Sequence, residues 1–195
     1  QDLVPKVAAA RASRGTACPD ATQLPRIEID RVLPRAAVHQ GIAVAAAELP
    51  ALDIEDLIRA VDGLATTRIL VLDQVTDPHN VGAILRSCSA FNVTALVTTA
   101  RHAPNETGVF FKAASGATEH VPVVRVTNLG RAMEELKSYG FTLLGLDSEA
   151  PVTIAEATKQ RPLALVLGAE GKGLRQKTRE TVSALARLDM PGAIR

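Results

Sequence analysis

From about Thr67 onward, short runs of Leu and β-branched residues alternate with longer amphipathic segments. Strands that are buried on both faces of a parallel sheet have this nearly continuous apolar character. The segments between them are long enough to form the helices that connect parallel strands. The pattern therefore predicts an α/β domain built on a parallel sheet. The predicted strands cover residues 68–72, 94–98, 121–126, 141–146, 163–167 and a short stretch near 186–189.

Three of the intervening segments have the period of a helix with one apolar face. Asn128 is a good N-cap for the second of these helices, and Gly140 is well suited to end it. The residues predicted to face the sheet are Val81, Ile84, Leu85, Cys88 and Phe91, then Leu129, Ala132, Met133 and Leu136, and then Leu174, Thr178, Thr181, Val182 and Leu185.

The composition is that of a globular protein, with 47% hydrophobic and 22% charged residues among 195, which excludes extended disorder. The formal net charge of +1 excludes a global positive field, so local basic patches would have to hold any nucleic acid. The opening QDLVPK has no apolar signal core, and no run approaches the length of a membrane span. A membrane protein is therefore not expected.

The two cysteines, Cys18 and Cys88, are far apart in the sequence and lack the spacing of metal ligands. The histidines His79, His102 and His120 have no such spacing either. We therefore expect no disulfide framework and no metal site, and a reducing cytoplasm as the location.

The N-terminal third differs from the rest of the chain. Residues 1–48 contain Ala runs and prolines at positions 5, 19, 25 and 34, without a sustained period, which indicates part of a small domain. Residues 49–63, with Pro50 and several acidic residues, are predicted to form a linker. Residues 64–195 form the α/β domain.

A polar loop follows the first predicted strand, at residues 73–86, with the sequence D-Q-V-T-D-P-H-N-V-G-A-I-L-R. Ligands of open parallel sheets bind at the carboxyl ends of the strands, so this loop is a candidate site. Asn80 can either cap the following helix or meet a ligand. Arg86 lies off the apolar stripe between Gly82 and Ser89, where it either faces solvent or contacts a ligand.

A second loop, L-G-A-E-G-K-G-L at residues 167–174, has three glycines in six residues. Glycines allow positive φ and close approach of the backbone to a ligand, although a simple Gly-rich turn has the same composition. The loop matches neither the dinucleotide fingerprint nor the P-loop, which argues against a dehydrogenase. Glu170 suits a cation, an arginine or a ribose hydroxyl better than a phosphate. The basic residues that follow are either a solvated face or a contact for an RNA backbone.

Taken in order, these segments resemble the SpoU (TrmH-like) branch of the SPOUT RNA methyltransferases. The resemblance covers roughly residues 64–195. It rests on V-L-D-Q-V-T-D-P-H-N-V-G-A-I-L-R-S, on L-A-L-V-L-G-A-E-G-K-G-L and on the start of a third motif, L-D-M-P-G-A-I-R, with residues 112–126 fitting the segment between the first two. In addition, H-Q-G-I at residues 39–42 resembles the end of the small substrate-recognition domain in bacterial large-subunit rRNA guanosine methylases.

The resemblance implies a SPOUT domain with a C-terminal trefoil knot, a homodimer, S-adenosylmethionine as cofactor and RNA as substrate. It implies ribose 2′-O-methylation, with a guanosine of 23S rRNA as the expected target; a tRNA ribose and an inactive RNA-binding module are the alternatives. The implied residues are Asn80, Arg86 and Glu170 for catalysis, Leu167, Gly168, Leu188 and Met190 for the cofactor, and Lys172, Arg175 and Arg179 for RNA.

Members of this family continue beyond the third motif with a Ser-Leu-Asn-Val-Ser-like stretch and a final helix. The sequence of 195 residues ends at Arg195, within the third motif. We therefore expect a SPOUT domain truncated before its final motif, with some segments of the longer protein omitted.

Overall fold

The predicted parallel sheet is present, and within the described residues it has six strands. These are β1 (Arg68–Asp73), β2 (Ala95–Thr99), β3 (Val123–Val126), β4 (Thr142–Leu146), β5 (Leu163–Gly168) and β6 (Ala184–Ala186). They lie in the order β3-β2-β1-β5-β4-β6, and every adjacent pair is parallel. The α/β prediction is confirmed.

The structure is a computed structural model that describes residues 21–34, 37–45, 52–64, 66–101, 108–157 and 162–190. The chain divides into two units, Gln1–Glu48 and Leu49–Arg195, and the sheet belongs to the second. The helices are α1 (Arg26–Val32), α2 (Ile54–Val61), α3 (Pro78–Ala90), α4 (Gly108–Ala114), α5 (Leu129–Ser138), α6 (Ile154–Ala157) and α7 (Gln176–Thr181), with a 3-10 turn at Ala117–Glu119.

Alternate residues of β1 enter two different apolar clusters, one on each face of the sheet. Ile69 and Val71 pack in the cluster that holds α2 and α5, whereas Leu70 and Leu72 pack in the cluster that holds α3 and α4. Burying each such side chain contributes roughly 1.5–3 kcal/mol. Because both faces are covered, the central strands read as continuous apolar runs rather than as an alternating pattern.

The segment predicted to be a linker is instead part of the second unit. It contains α2, whose Leu57, Ile58 and Val61 are buried in the core. Asp53 caps this helix and forms a capping box with Asp56. The linker prediction was wrong because it took these acidic residues for a solvated stretch, whereas they satisfy the amide groups of a helix start.

The third predicted helical stripe is also shorter than expected. Leu174 and Thr178 are buried as predicted, but α7 ends at Thr181, and Leu185 lies in β6. The pairing of Ala184 with Leu144 of β4 starts β6 there, two residues before its predicted position. When a short amphipathic helix is followed directly by a strand, the sequence does not mark the residue at which the helical period of 3.6 changes to the strand period of 2.

Two features of the first helical stripe concern how α3 packs. Cys88 is buried, and burial raises the pKa of its thiol to about 11, so this cysteine acts as an apolar core residue. A Cβ on Gly82 would lie 2.5 Å from the Cβ of Ala113, which shows how closely α3 packs against α4. The sequence did not predict α4.

The first unit contains α1 and the turn at residues 39–42. His39 hydrogen-bonds to Asp30 at 2.9 Å and accepts a hydrogen bond from the backbone N–H of Gly41 at 2.9 Å. The role of residues 1–48 in RNA recognition stays a prediction. So does the trefoil knot, because the resemblance alone implies it. None of the helices in the described ranges is both long enough and apolar enough to cross a membrane.

Candidate active site

The two loops predicted to carry the chemistry meet at one edge of the sheet. β1 and β5 are neighbours, and Asp73 at the end of β1 is in register with Gly168 at the end of β5. The side-chain amide of Asn80 donates to a carboxylate oxygen of Glu170 at 3.3 Å, although the two residues are 90 positions apart. They border a cleft of about 410 Å³ lined by residues 74–77, Asn80, Ala169, Glu170 and Lys172.

Asn80, which the sequence offered as a possible cap of α3, does not cap this helix. Asp77 is the N-cap of α3 and accepts a hydrogen bond from the backbone N–H of His79 at 2.9 Å. Pro78 occupies the first turn, where its missing N–H costs nothing. Since Asp77 performs the capping, the amide of Asn80 is available to reach Glu170.

The glycine loop is closed by its own backbone. Ala169 and Gly173 exchange two hydrogen bonds, from Ala169 N to Gly173 O at 3.1 Å and from Gly173 N to Ala169 O at 2.8 Å. Gly171 and Gly173 have φ of 74° and 64°, which is the left-handed region that glycine enters without strain. The closed loop carries Glu170 and Lys172 at its tip, beside the cleft.

Gly168 lets this loop fold back onto the end of β5. A Cβ at that position would lie 2.1 Å from the carbonyl carbon of Gly173 and 2.4 Å from the backbone nitrogen of Leu174. Because these are backbone atoms, no side-chain rotation relieves the clash. The glycine is therefore required by the path of the main chain and would be so without any ligand.

A buried carboxylate joins the two loops from below. Asp73 is fully buried and accepts a hydrogen bond from the backbone N–H of Arg175 at 2.9 Å and from its Nε at 2.6 Å. Arg175 is the N-cap of α7, so Asp73 fixes the point where the glycine loop gives way to that helix. Sequence reasoning missed this residue, although an aspartate that ends an apolar run is a usable signal.

Gln74, the next residue, also went unnoticed in the sequence. Its φ is 61°, a left-handed conformation that is uncommon for a residue with a side chain. Gln74 lines the cleft, so the strained backbone lies where the loop turns around the site. Strain of this kind persists only where the surrounding structure holds it.

Arg86 is not brought to the cleft of its own chain. It is exposed on α3 and follows Asn80 by six residues, about 9 Å further along the helix axis. Gly82, expected to leave room for a ligand beside Arg86, is instead buried against α4.

The predicted cofactor residues lie at the ends of β5 and β6, on either side of β4. Leu167 and Gly168 are partly buried, whereas Leu188 and Met190 are 56% and 48% exposed. The loop after β4 lies between them, and Arg187 holds it by donating to the carbonyl oxygens of Ala150 and Pro151 at 2.9 and 2.6 Å. Three adjacent strand ends thus surround the proposed cofactor position.

The predicted RNA contacts divide into two kinds. Lys172 lines the cleft. Arg175 pairs with Asp73, and Arg179 pairs with Asp147 after β4, so part of their charge is neutralised within the chain. Their role in RNA binding stays a prediction.

Asp147 gives a prediction about pH. A hydrogen bond from the backbone N–H of Glu149 and the Arg179 guanidinium outweigh burial and hold the pKa of Asp147 below its ordinary value of 3.8. Such a carboxylate stabilises the fold above that value, and its contribution is lost as the pH falls through the lowered pKa. Asp147→Asn is therefore expected to be less stable than the wild type near neutral pH, and the difference is expected to shrink as the pH falls below 3.8. Urea unfolding near neutral pH and at the lowest pH at which the wild type is still folded measures it, with exposed Asp62→Asn as control. An equal difference at both pH values would contradict the assignment.

An open parallel sheet whose polar side chains gather at its carboxyl edge defines an α/β ligand-binding domain. Residues 67–195 match the model of the SpoU rRNA Methylase family. The chain belongs to this family.

Relatives and solved structures agree with that assignment. The 23S rRNA (guanosine-2′-O-)-methyltransferase RlmB of Yersinia pestis is 39% identical over 157 residues, which cover 80% of this chain and 64% of that protein. The enzyme of the same name from Nitrosomonas europaea is 43% identical over 157 residues, covering 80% and 60%. The chain thus spans less than two thirds of the length of these relatives.

The fold is shared with solved structures at lower identity. The SpoU methyltransferase AviRb from Streptomyces viridochromogenes, in complex with the cofactor AdoMet, superposes with a TM-score of 0.67 at 22% identity, covering 76% of this chain and 59% of that one. An AdoMet-bound rRNA methyltransferase from Sinorhizobium meliloti gives 0.68 at 18% identity, covering 99% and 70%.

Proposed function

We propose that the chain carries the catalytic domain of a cytoplasmic RNA ribose 2′-O-methyltransferase that uses S-adenosylmethionine and acts on a guanosine of 23S rRNA. The observation that carries the proposal is the contact between Asn80 and Glu170 at the cleft between the ends of β1 and β5. Membership of the SpoU rRNA methylase family supports the reaction class. The names of the relatives support the guanosine and the 23S rRNA.

The residues at the ends of β5 and β6 fit S-adenosylmethionine chemically. Leu188 and Met190 are large apolar side chains left exposed at a strand end, which suits an adenine ring and an aliphatic chain. Leu167 and Gly168 lie beyond the last pair of β5 with β4, so the end of β5 offers backbone groups on that side for the polar parts of the cofactor. When bound, S-adenosylmethionine would supply a methyl group on a positively charged sulfur.

The residues of the cleft would align the ribose. Asn80 offers an amide donor and Glu170 a carboxylate acceptor, which together can hold two neighbouring ribose hydroxyls. In the reaction the 2′ oxygen would take up the methyl group that the cofactor supplies, the electron pair of the broken bond would stay on the sulfur, and the hydroxyl proton would pass to water. Alignment of the reactants can supply about 7–11 kcal/mol, and help with the proton about 10²–10⁴-fold.

Arg86 would act from a second copy of the chain. It is exposed and lies outside the lining of its own cleft, and the SPOUT resemblance implies a homodimer with sites near the interface. Arginine keeps its proton in proteins, so its expected task is to grip a phosphate and stabilise the developing negative charge.

Methyl transfer tests the proposal directly. The chain, labelled S-adenosylmethionine and unmodified 23S rRNA are expected to give label on the ribose of one guanosine, located by mapping the modified nucleotide. Asn80→Ala is expected to lower kcat/KM about 10²-fold, as the loss of one positioned donor does elsewhere. Exposed Asp62→Asn serves as the control. If tRNA is labelled and 23S rRNA is not, the substrate is a tRNA rather than 23S rRNA. If no methyl group is transferred and calorimetry shows no binding of the cofactor, the proposed function is rejected.

The role of Arg86 can be separated in the same assay by Arg86→Lys. Lysine loses its proton more readily than arginine but cannot form the bidentate contact. Near-total loss of turnover is expected from the clamp role. Substantial retained turnover would instead favour Arg86 as the base.

A further inference from the structure

A second depression lies at the same edge of the sheet, beyond β1. It has a volume of about 290 Å³ and is bordered by Thr99 at the end of β2, by Arg101, by Thr127 after β3, and by residues of α7 and of the start of α5. We call it the basic groove. It shares none of its lining residues with the cleft that contains Asn80 and Glu170.

The charge of the groove is positive. Among the described residues that line it, three are cationic, namely Arg101, Arg175 and Lys177, and none is acidic. Asp73 neutralises part of the charge of Arg175 from below. Arg101 and Lys177 are exposed and come from different elements, the turn after β2 and the start of α7, so the positive charge does not belong to a single helix face.

The start of α5 adds to this charge. The first N–H groups of a helix have no partner within the helix, and Leu129 and Gly130 of this first turn line the groove. Lys177 lies above that turn, because a Cβ on Gly130 would be 3.5 Å from its Cε. The positive end of a helix and a cation both attract an anion, although the side chain of Asn128 already accepts a hydrogen bond from one first-turn amide, that of Arg131. An anion in the groove would satisfy both groups.

The groove also lies in line with the cleft. The cleft follows β1 and β5, and the groove follows the next two strands, β2 and β3, about 10 Å away at the usual strand spacing. Arg175 borders the groove only two residues after Gly173, which closes the glycine loop. A chain of phosphates that leaves the cleft in this direction would meet the cations of the groove.

We propose that the basic groove binds the phosphate backbone of a single-stranded RNA segment next to the nucleotide whose ribose enters the cleft. This inference rests on the proposed function. None of the described lining residues is aromatic, so the groove has no surface on which bases could stack. It therefore contributes affinity and direction to the bound strand and reads no sequence.

The test is the salt dependence of binding to a fluorescein-labelled single-stranded oligoribonucleotide, measured by anisotropy with the full chain. Each phosphate contact to a single strand contributes about 0.7 to the slope of log affinity against log salt. Arg101→Ala/Lys177→Ala is expected to reduce that slope by about 1.4. Because the contacts vanish near 1 M salt, the same slope predicts about 25-fold weaker binding at about 0.1 M salt.

The matched control removes two arginines from the opposite part of the unit. Arg59 lies in the last turn of α2 and Arg68 begins β1, and both are exposed. Arg59→Ala/Arg68→Ala has the same change in net charge and is expected to bind the oligoribonucleotide nearly as the wild type does. Equal slopes in the two double variants, or an unchanged slope in the groove variant, would overturn the proposal.

Two further measurements keep this result distinct from the proposed function. The groove variant should bind S-adenosylmethionine as the wild type does in calorimetry, which shows that the domain is folded. If the wild-type chain methylates RNA and the groove variant binds RNA as tightly as the wild type, only the groove proposal is rejected. If the wild-type chain neither transfers methyl nor binds S-adenosylmethionine, and the groove variant still loses RNA binding, the groove is upheld and the reaction is rejected. Inorganic phosphate, added at constant ionic strength, should compete only weakly with the oligoribonucleotide, because it offers one phosphate where the strand offers several. A groove that binds phosphate but not RNA would also overturn the assignment.

Discussion

Gly168→Ala is expected to lower the free energy of unfolding by about 3 kcal/mol and to abolish binding in the cleft. The added methyl group would lie 2.1 Å from the backbone of Gly173, closer than any packing adjustment of side chains can relieve. Insertion of a methyl group into a well-packed region costs about 1–3 kcal/mol, and a clash with main chain belongs at the upper end. The glycine loop must then leave β5, and Glu170 moves away from Asn80. Urea unfolding measures the first effect, and the loss of methyl transfer to RNA measures the second.

Two other glycines of the chain serve as controls for this substitution. Gly108 has open space around its Cβ position and no positive φ, so Gly108→Ala is expected to be nearly neutral. Gly171 also has open space but a φ of 74°, so Gly171→Ala isolates the conformational strain, about 1–2 kcal/mol. If Gly168→Ala were as stable as Gly108→Ala, the backbone path described for the loop would be incorrect.

Asp73→Asn is expected to cost about 2–3 kcal/mol of stability and to lower methyl transfer about 10²-fold. Both carboxylate oxygens of Asp73 accept hydrogen bonds from Arg175, one from its backbone and one from its side chain. In Asp73→Asn an NH2 group would replace one of these oxygens and would face an N–H donor of Arg175, so that hydrogen bond would be lost. Hydrogen bonds to charged groups are worth about 1.5–3 kcal/mol. The start of α7 would shift, and displacement of aligned groups by about 1 Å costs about 10²-fold in rate.

Glu134→Gln is the control for Asp73→Asn. Glu134 also pairs with a basic residue, Lys137, but at 3.8 Å and with 60% of its side chain exposed. Exposed pairs of this kind contribute roughly 0–1 kcal/mol, so little change is expected. Wild-type activity in an Asp73→Asn protein that has lost stability would show that Asp73 supports the fold without positioning the cleft.

The sequence predicted the sheet because burial on both faces leaves continuous apolar runs, which are visible without any tertiary information. It predicted the meeting of the two loops because parallel strands end at the same edge of a sheet. Asn128 was identified correctly as a cap, since its side chain accepts a hydrogen bond from the backbone N–H of Arg131. These predictions depend on local pattern and on one topological rule.

The errors arose where the decisive contact is distant in sequence or where two residues can do the same task. Asp77 and Asn80 are both good caps, and only the structure shows that Asp77 is used. The pair of Asp73 with Arg175 joins residues 102 positions apart, so no local pattern reveals it. Arg86 lies on the exposed face of α3, and hydrophobic periodicity predicts only which residues face the core, so it does not predict what Arg86 contacts.

The strand order has a consequence for the way the chain assembles during synthesis. β2 pairs with β1, and β3 pairs with β2, so each of these strands has a partner that precedes it in the sequence, whereas the partners of β4 in the described sheet, β5 and β6, both follow it. β4 therefore has no strand to pair with until β5 has been synthesised and lies between β1 and β4. The cleft is completed in that same step, so the contact between Asn80 and Glu170 depends on the most nonlocal pairing in the described sheet, that of β1 with β5.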